Sequence, residues 1–352
     1  MKYFDYAGII HFHSEYSYDG RVPISEIIRS AEKAGVDILL LTDHECMTAR
    51  RKGEEGWHGK TLLIVGEEIA PFRNNHFLVF GLSRSISETG FTDNYLQRMI
   101  DHVRNAGGIG LIAHPDHEGT KLFHVKQFSW ERWDLSGYTG MSIWDFMTDW
   151  QSTLKSYWNG LIGFLFPAFV LRGPKPVTLK RWDALNQDKK IIGFGELDNH
   201  DTVKRILGIA FSVFPFRKAF RFVRTHILLK TPLTGDDRTD IPVVLEALRE
   251  GHAYASLDYF AETKGFQFTI SEGDQLGTMG DIFHVEGAAL IDVHVPLAGL
   301  IRIIKNGSLL VQQLGRDLKI KVPEKGVYRV EIYIKKFGGY HPWIFSNPID
   351  VQ

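Results

Sequence analysis

The sequence predicts a chain in two parts, a parallel α/β sheet or barrel followed by a small antiparallel β-sandwich. Three patterns predict it. Up to about residue 200, short apolar runs alternate with stretches of helical period, as in successive βαβ units. After about residue 260 the runs alternate polar with apolar residues, as half-buried antiparallel strands do. Histidines and carboxylates stand at the end of run after run, where parallel α/β folds collect their active sites. The expected division is 1–262 for the α/β part and 263–352 for the β part.

The first run, 7–13, ends in His11-Phe12-His13. Side chains alternate along a strand, so the two imidazoles are expected on one face, a pairing that suits Zn²⁺ or Mn²⁺. An isolated His-X-His pair also occurs at solvated strand ends; the downstream residues decide. Pro23 opens a helix whose Ile24, Ile27, Ile28 and Ala31 share a face and which ends at Gly35. The run 36–42 is apolar throughout, as a strand buried on both faces would be, and delivers Asp43 and His44. Run 62–65 leads to Gly66, Glu67 and Glu68, and run 76–81 begins with His76. A helix over 92–105 precedes run 109–113, which ends at His114 and Pro115. Runs 140–146 and 191–195 complete seven strands, the last delivering Glu196, Asp198, Asn199 and His200.

Between 123 and 176 lies an interval rich in tryptophan, read as a substrate wall or an extra helical layer. Residues 204–230 contain no Asp or Glu and mix arginines with phenylalanines, which suits a solvated edge over a Phe core, an anion clamp, or contact with a membrane surface or single-stranded nucleic acid. A helix over 242–251 and a strand over 252–256 follow. Strands are then expected at 290–295, 301–304, 309–312, 318–322 and 327–334, with Asn306-Gly307 as a hairpin turn.

Composition narrows the functions. The chain has 352 residues, 44% hydrophobic and 24% charged, with formal net charge -1. Such a balance gives no whole-molecule field for nucleic acid, so duplex nucleic acid is not expected as a partner. The single Cys46 excludes an intrachain disulfide and fits a reducing compartment. Residues 1–6 form no signal core, and 161–171, interrupted by Gly163 and Pro167, is too short to span a bilayer. The expectation is a cytoplasmic protein with no membrane as a partner. Oligomeric state is left open.

Taken in order, the segments 11–20, 42–44, 66–68, His76, 113–115 and 198–200 resemble the successive motifs of the PHP (polymerase and histidinol phosphatase) superfamily. The resemblance covers residues 1 to about 260, and the strand-rich tail is similar to the β-domain of some CehA/McbA-like members. It implies a distorted (β/α)7 barrel and two or three divalent ions (Zn, Mn or Fe). One would be held by His11, His13, Glu68 and Asp198, a second by Glu68, His76 and His114, and a third by Asp19, His44 and His200. Asp19 stands where some members have histidine, which suits a harder, oxygen-preferring ion. Asp43 and Glu67 would orient ligands from behind.

The expected activity is phosphoester hydrolysis by metal-bound hydroxide on a small phosphomonoester or short nucleotide. Glu68 and Asp198 would carry it, with His117 as a candidate proton donor and Arg172, Lys175 and Arg205 as candidate contacts to the phosphoryl oxygens. Neither a P-loop nor a Gly-X-Ser-X-Gly elbow is present in the sequence, so no covalent intermediate is expected. Two alternatives remain: carbamate or ester hydrolysis at the same site, and an inactive barrel serving as a binding scaffold.

Overall fold

The computed structural model describes residues 3–70, 74–89, 96–206, 209–322 and 324–352, with the side chains of 88–89, 204–206 and 209–210 left out of the description. The first sheet is built on β1 (Phe4–Ile10), β2 (Ile38–Leu41) and β3 (Thr61–Val65), paired in parallel in that order. Every residue of β2 and β3 is buried, and all are apolar except Thr61, whose hydroxyl donates to Val36 O (3.1 Å). The amphipathic α1 (Ile24–Ala34) joins β1 to β2, buries the four expected side chains, and stops at Gly35, whose φ of 68° reverses the chain.

The second sheet runs in the order β4 (Glu67–Ile69), β5 (Phe77–Phe80), β6 (Ile109–Ile112), β7 (Gly140–Asp145), β8 (Ile192–Glu196). Of its pairings, β4–β5 and β5–β6 are antiparallel, and the remaining two are parallel. The connection between β4 and β5 is too short for a parallel crossover, so the chain turns back on itself. The helix expected over 92–105 is present as α2 (Leu96–Asn105); its first expected residues, 92–95, lie outside the described ones.

A closed seven-stranded barrel is not what forms among the described residues. Strand β9 (Val223–Leu229), hidden inside the stretch read from the sequence as basic, pairs antiparallel with β1, and β10 (Ala253–Leu257) pairs with β9 in turn. Both edges of β1 are therefore taken, and the chain just after β8 bonds to the end of β1 and the residues that follow it, through Leu197 N to Ile10 O (3.1 Å), Asp198 N to His11 O (2.9 Å) and His13 N to Asn199 O (3.0 Å). The sheets also touch where Gly66 N donates to Leu41 O (2.8 Å) and Glu68 N to Asp43 O (3.1 Å). Between them lies an apolar core that includes Ile10, Leu40, Ile64, Leu78, Leu111 and Phe194. The site is thus assembled where strand ends of two facing sheets converge.

The β-rich C-terminal region hydrogen-bonds onto the first sheet through β10. Its core strands are β11 (Leu290–Lys305), β12 (Ser308–Lys321), β13 (Gly326–Lys336) and β14 (Gly339–Ser346), and β14 pairs with β10. The runs expected separately at 290–295 and 301–304 are one strand with a register shift between His294 and Gly299, and 309–312 and 318–322 likewise merge. Asn306 and Gly307, with φ of 48° and 78°, make the hairpin turn between β11 and β12. No helix among the described residues is long and apolar enough to cross a membrane.

Candidate metal centre

The strand ends bring nine side chains into three overlapping clusters: His11, His13, Glu68 and Asp198; Glu68, His76 and His114; and His13, Asp19, His44 and His200. Within each, the candidate donor atoms all lie within 4.8 Å of one another. Glu68 is central. Its Oε2 lies 3.0 Å from His11 Nε2, 3.2 Å from His13 Nε2 and 3.3 Å from His44 Nδ1, while its Oε1 lies 2.5 Å from His76 Nδ1 and 3.4 Å from His114 Nε2. Asp198 Oδ1 faces His11, His13 and His200 at 3.5–3.7 Å. Asp19 Oδ2 lies 3.2 Å from His44 Nε2 and 3.1 Å from His200 Nε2.

The local backbone is bent to make this possible. His11, His114 and Asp198 all have positive φ, at 67°, 25° and 50°. L-residues cost roughly 1–3 kcal/mol each in such conformations, which persist where surrounding structure over-determines them. His11 has therefore left the strand, since β1 ends at Ile10. The rings of His11 and His13 converge at 5.3 Å because His11 turns back, rather than by the strand alternation expected from their spacing.

The electrostatics favour a cation. Burial alone would raise the Glu68 carboxyl, but His11 and His76 hold it well below the usual carboxylate range. Asp198 is held low in the same way, chiefly by His11 and His13 against burial. Burial would lower His11 and His114, yet the facing carboxylates raise His11 well above its ordinary value and His114 to about 9. The field that keeps protons on these imidazoles would equally hold divalent ions.

The donor set also fits metal. His11 Nε2, His13 Nε2, His44 Nδ1 and Glu68 Oε2 are buried and make no hydrogen bond, although they point at one another across 3.0–3.3 Å. Buried polar atoms left in that state are costly unless a shared cation satisfies them. Mixed imidazole and carboxylate donors suit Zn²⁺, Mn²⁺ or Fe²⁺.

The support behind the ligands differs from expectation. Asp43 accepts Ser14 N (2.6 Å) and Ser14 Oγ (2.7 Å), and Glu67 accepts Ile86 N (2.6 Å); these bonds hold loops. Orienting an imidazole falls to Glu196, to which the sequence reading gave no role. Its Oε2 accepts His11 Nδ1–H at 2.7 Å and its Oε1 accepts His114 N at 2.6 Å. The signal was its position, last residue of β8 and two before Asp198. Tyr18, also missed, stacks on His44 at 4.7 Å while mostly exposed and so walls the mouth of the site.

The other sequence candidates are not among the clustered donors. His117 is buried, its Nε2–H donates to Gln151 Oε1 at 2.8 Å, and burial with His114 nearby lowers it to about 4. A neutral ring so committed is poorly suited to donate a proton. Lys175 Nζ donates to Asp116 O (2.7 Å) and pairs with Glu118 (3.3 Å), bracing the loop after His114. Arg172 lines an open cleft of about 510 Å³ together with Lys155 and Lys175. The side chain of Arg205 lies outside the described ones.

Residues 10–112 match the family model described as PHP domain. No curated protein matches the chain. Three solved structures resemble it faintly. PsfC from Pseudomonas syringae is 13% identical, with a TM-score of 0.38 over 66% of this chain and 86% of its own. An Endonuclease Q complex with a 27-mer duplex substrate is 13% identical, with a TM-score of 0.39 over 71% of this chain and 56% of its own. A Bifidobacterium adolescentis protein, described provisionally as a metal-dependent phosphoesterase, is 14% identical, with a TM-score of 0.32 over 55% and 87%. The duplex in the Endonuclease Q complex overturns the exclusion of duplex nucleic acid drawn from net charge. Net charge is a sum over the molecule and says nothing of local basic stretches such as 204–230.

Proposed function

We propose that this chain hydrolyses a phosphoester at a di- or trinuclear metal centre, with a small phosphomonoester or short nucleotide as the substrate class. The observation that carries the reading is Glu68, one buried carboxylate shared between two of the donor clusters, inside the stretch that matches the PHP domain model. His11, His13, Glu68 and Asp198 would hold one ion, Glu68, His76 and His114 a second, and Asp19, His44, His200 and His13 a third. Divalent ions bound there would lower the pKa of water and take up charge on the phosphoryl oxygens. Glu196 keeps the His11 ring and the His114 backbone aimed inward, and Tyr18 covers the outer edge.

The test is a substrate panel on protein stripped with chelator and reloaded with Zn²⁺, Mn²⁺ or Fe²⁺. Aryl phosphates, dinucleotides and duplex DNA are set against aryl esters and carbamates. Metal-restored turnover of phosphoesters is expected. Turnover confined to esters or carbamates, or none with full metal content, overturns the reading.

A further inference from the structure

The helix Tyr157–Leu165 and the short helix Pro167–Val170 expose a run of large apolar side chains: Trp158, Leu161, Ile162, Leu165, Phe166 and Phe169. Trp158 is 75% exposed and Phe166 56%. The face continues across the fold, because Phe169 meets Phe260 at 5.6 Å and Phe337 at 5.0 Å, and Phe337, at the tip between β13 and β14, is 79% exposed. Soluble monomers rarely leave so continuous an apolar surface uncovered.

Its surroundings carry a consistent sign. The segments 150–182, 211–222 and 332–349 build and border it, and none of the chain's 42 Asp and Glu falls in any of them. Lys218 Nζ donates to Phe164 O at 3.2 Å, which places a cation at the flank of the apolar helix. The Arg221 guanidinium lies 5.3 Å over the Tyr259 ring, and Lys335 and Lys336 immediately precede Phe337. Of the acids beside Phe260, Asp258 is taken up by Arg224 and His226, which leaves the exposed Glu262 as the countercharge nearest along the chain. Aromatic and branched apolar side chains on short helices, rimmed by lysine and arginine and headed by Tyr157 and Trp158, form the chemistry of a surface that lies in the headgroup layer of an anionic bilayer.

We propose that this face docks the protein peripherally on anionic lipid bilayers, without crossing them. The open cleft lined by Leu154, Lys155, Arg172 and Lys175 lies immediately before the exposed helix.

The experiment is flotation of the full chain with vesicles of phosphatidylcholine alone and with vesicles that also contain phosphatidylglycerol. Sedimentation velocity without lipid is run in parallel. Wild type is expected to float with the anionic vesicles, at least about tenfold better than with phosphatidylcholine alone, and to be released by high salt. Trp158→Ser with Leu161→Ser should abolish flotation. Lys335→Glu with Lys336→Glu should remove the preference for anionic lipid. Both variants alter exposed or half-exposed side chains and should melt with wild type; if the serine variant does not fold, the charge variant still decides. Wild type left at the bottom with both vesicle types overturns the proposal, as does a charge variant that floats like wild type. A lipid-free dimer that the serine variant converts to monomer would make a second copy of the chain the occupant instead.

Discussion

Glu196 is the residue whose role the structure changes most. A ligating imidazole needs its second nitrogen fixed, or ring orientation and tautomer are lost, and Glu196 supplies this to His11 while pinning the strained backbone at His114. Glu196→Gln keeps the shape but removes the charge. Metal affinity should fall about 10–100-fold, read by calorimetric titration of the stripped protein, with the circular dichroism spectrum unchanged. Asp198→Asn acts on a donor itself; turnover should be abolished with the fold near wild type, and retained turnover would remove Asp198 from the site. Tyr18→Ala should raise KM more than it lowers kcat, because the ring walls the mouth without reaching the donors. Most of the donors were legible because they sit at the end of an apolar run, His76 and Asp19 being the exceptions. Glu196 was not, because a carboxylate that supports and one that ligates look alike in sequence, and only the fold tells which faces an imidazole from behind.

At the scale of elements, what escaped the sequence is β9. Its residues Val223-Arg224-Thr225-His226-Ile227 read as a basic stretch, yet all are buried, since Arg224 and His226 find Asp258 and Asp5 from elsewhere in the chain. A polar residue in a strand is unremarkable in one dimension when its partner lies far along the chain. Alternating or apolar runs such as β2, β3 and β13 needed no such partner and were readable. The position of β9 also sets how closely β8 approaches. A Cβ on Gly195 would lie 2.8 Å from Val223 Cγ1, 3.0 Å from Arg224 O and 3.2 Å from Ala255 Cβ. Gly195→Ala should therefore destabilise by about 1–3 kcal/mol, seen as a lower urea midpoint at unchanged slope. Because Gly195 directly precedes Glu196, metal affinity should fall with it.

On the scale of the whole molecule, a second set of buried charges lies away from the metal centre and ties the N-terminal strand to the chain leading into the β-rich region. His226 Nδ1 lies 2.6 Å from Asp5 Oδ1, its Nε2 lies 3.1 Å from Asp258 Oδ2, and its ring stacks on Tyr254 at 4.7 Å. Burial would lower this imidazole, but Asp258 and Asp5 outweigh it and raise it to about 9. A folded-state pKa above the ordinary 6.5 means that the protonated ring stabilises the fold fully below about pH 6.5, and that this contribution is lost as pH rises through about 9. Asp258 runs the other way: against burial, His226 and Arg224 hold it well below 3.8, so its contribution is present above that value and lost in acid. The pair thus stabilises most between about pH 4 and pH 6.5. Replacing His226 by Leu takes the imidazolium from both carboxylates, leaving Asp258 with Arg224 alone, and should cost about 3–5 kcal/mol near pH 6. The metal-site imidazoles titrate in both proteins, so the informative quantity is the difference between wild type and His226→Leu, measured by urea unfolding from about pH 6 to about pH 9.5 with metal present. That difference should shrink steadily toward the alkaline end; a constant difference would mean that His226 holds the junction by packing against Tyr254 and not by its charge.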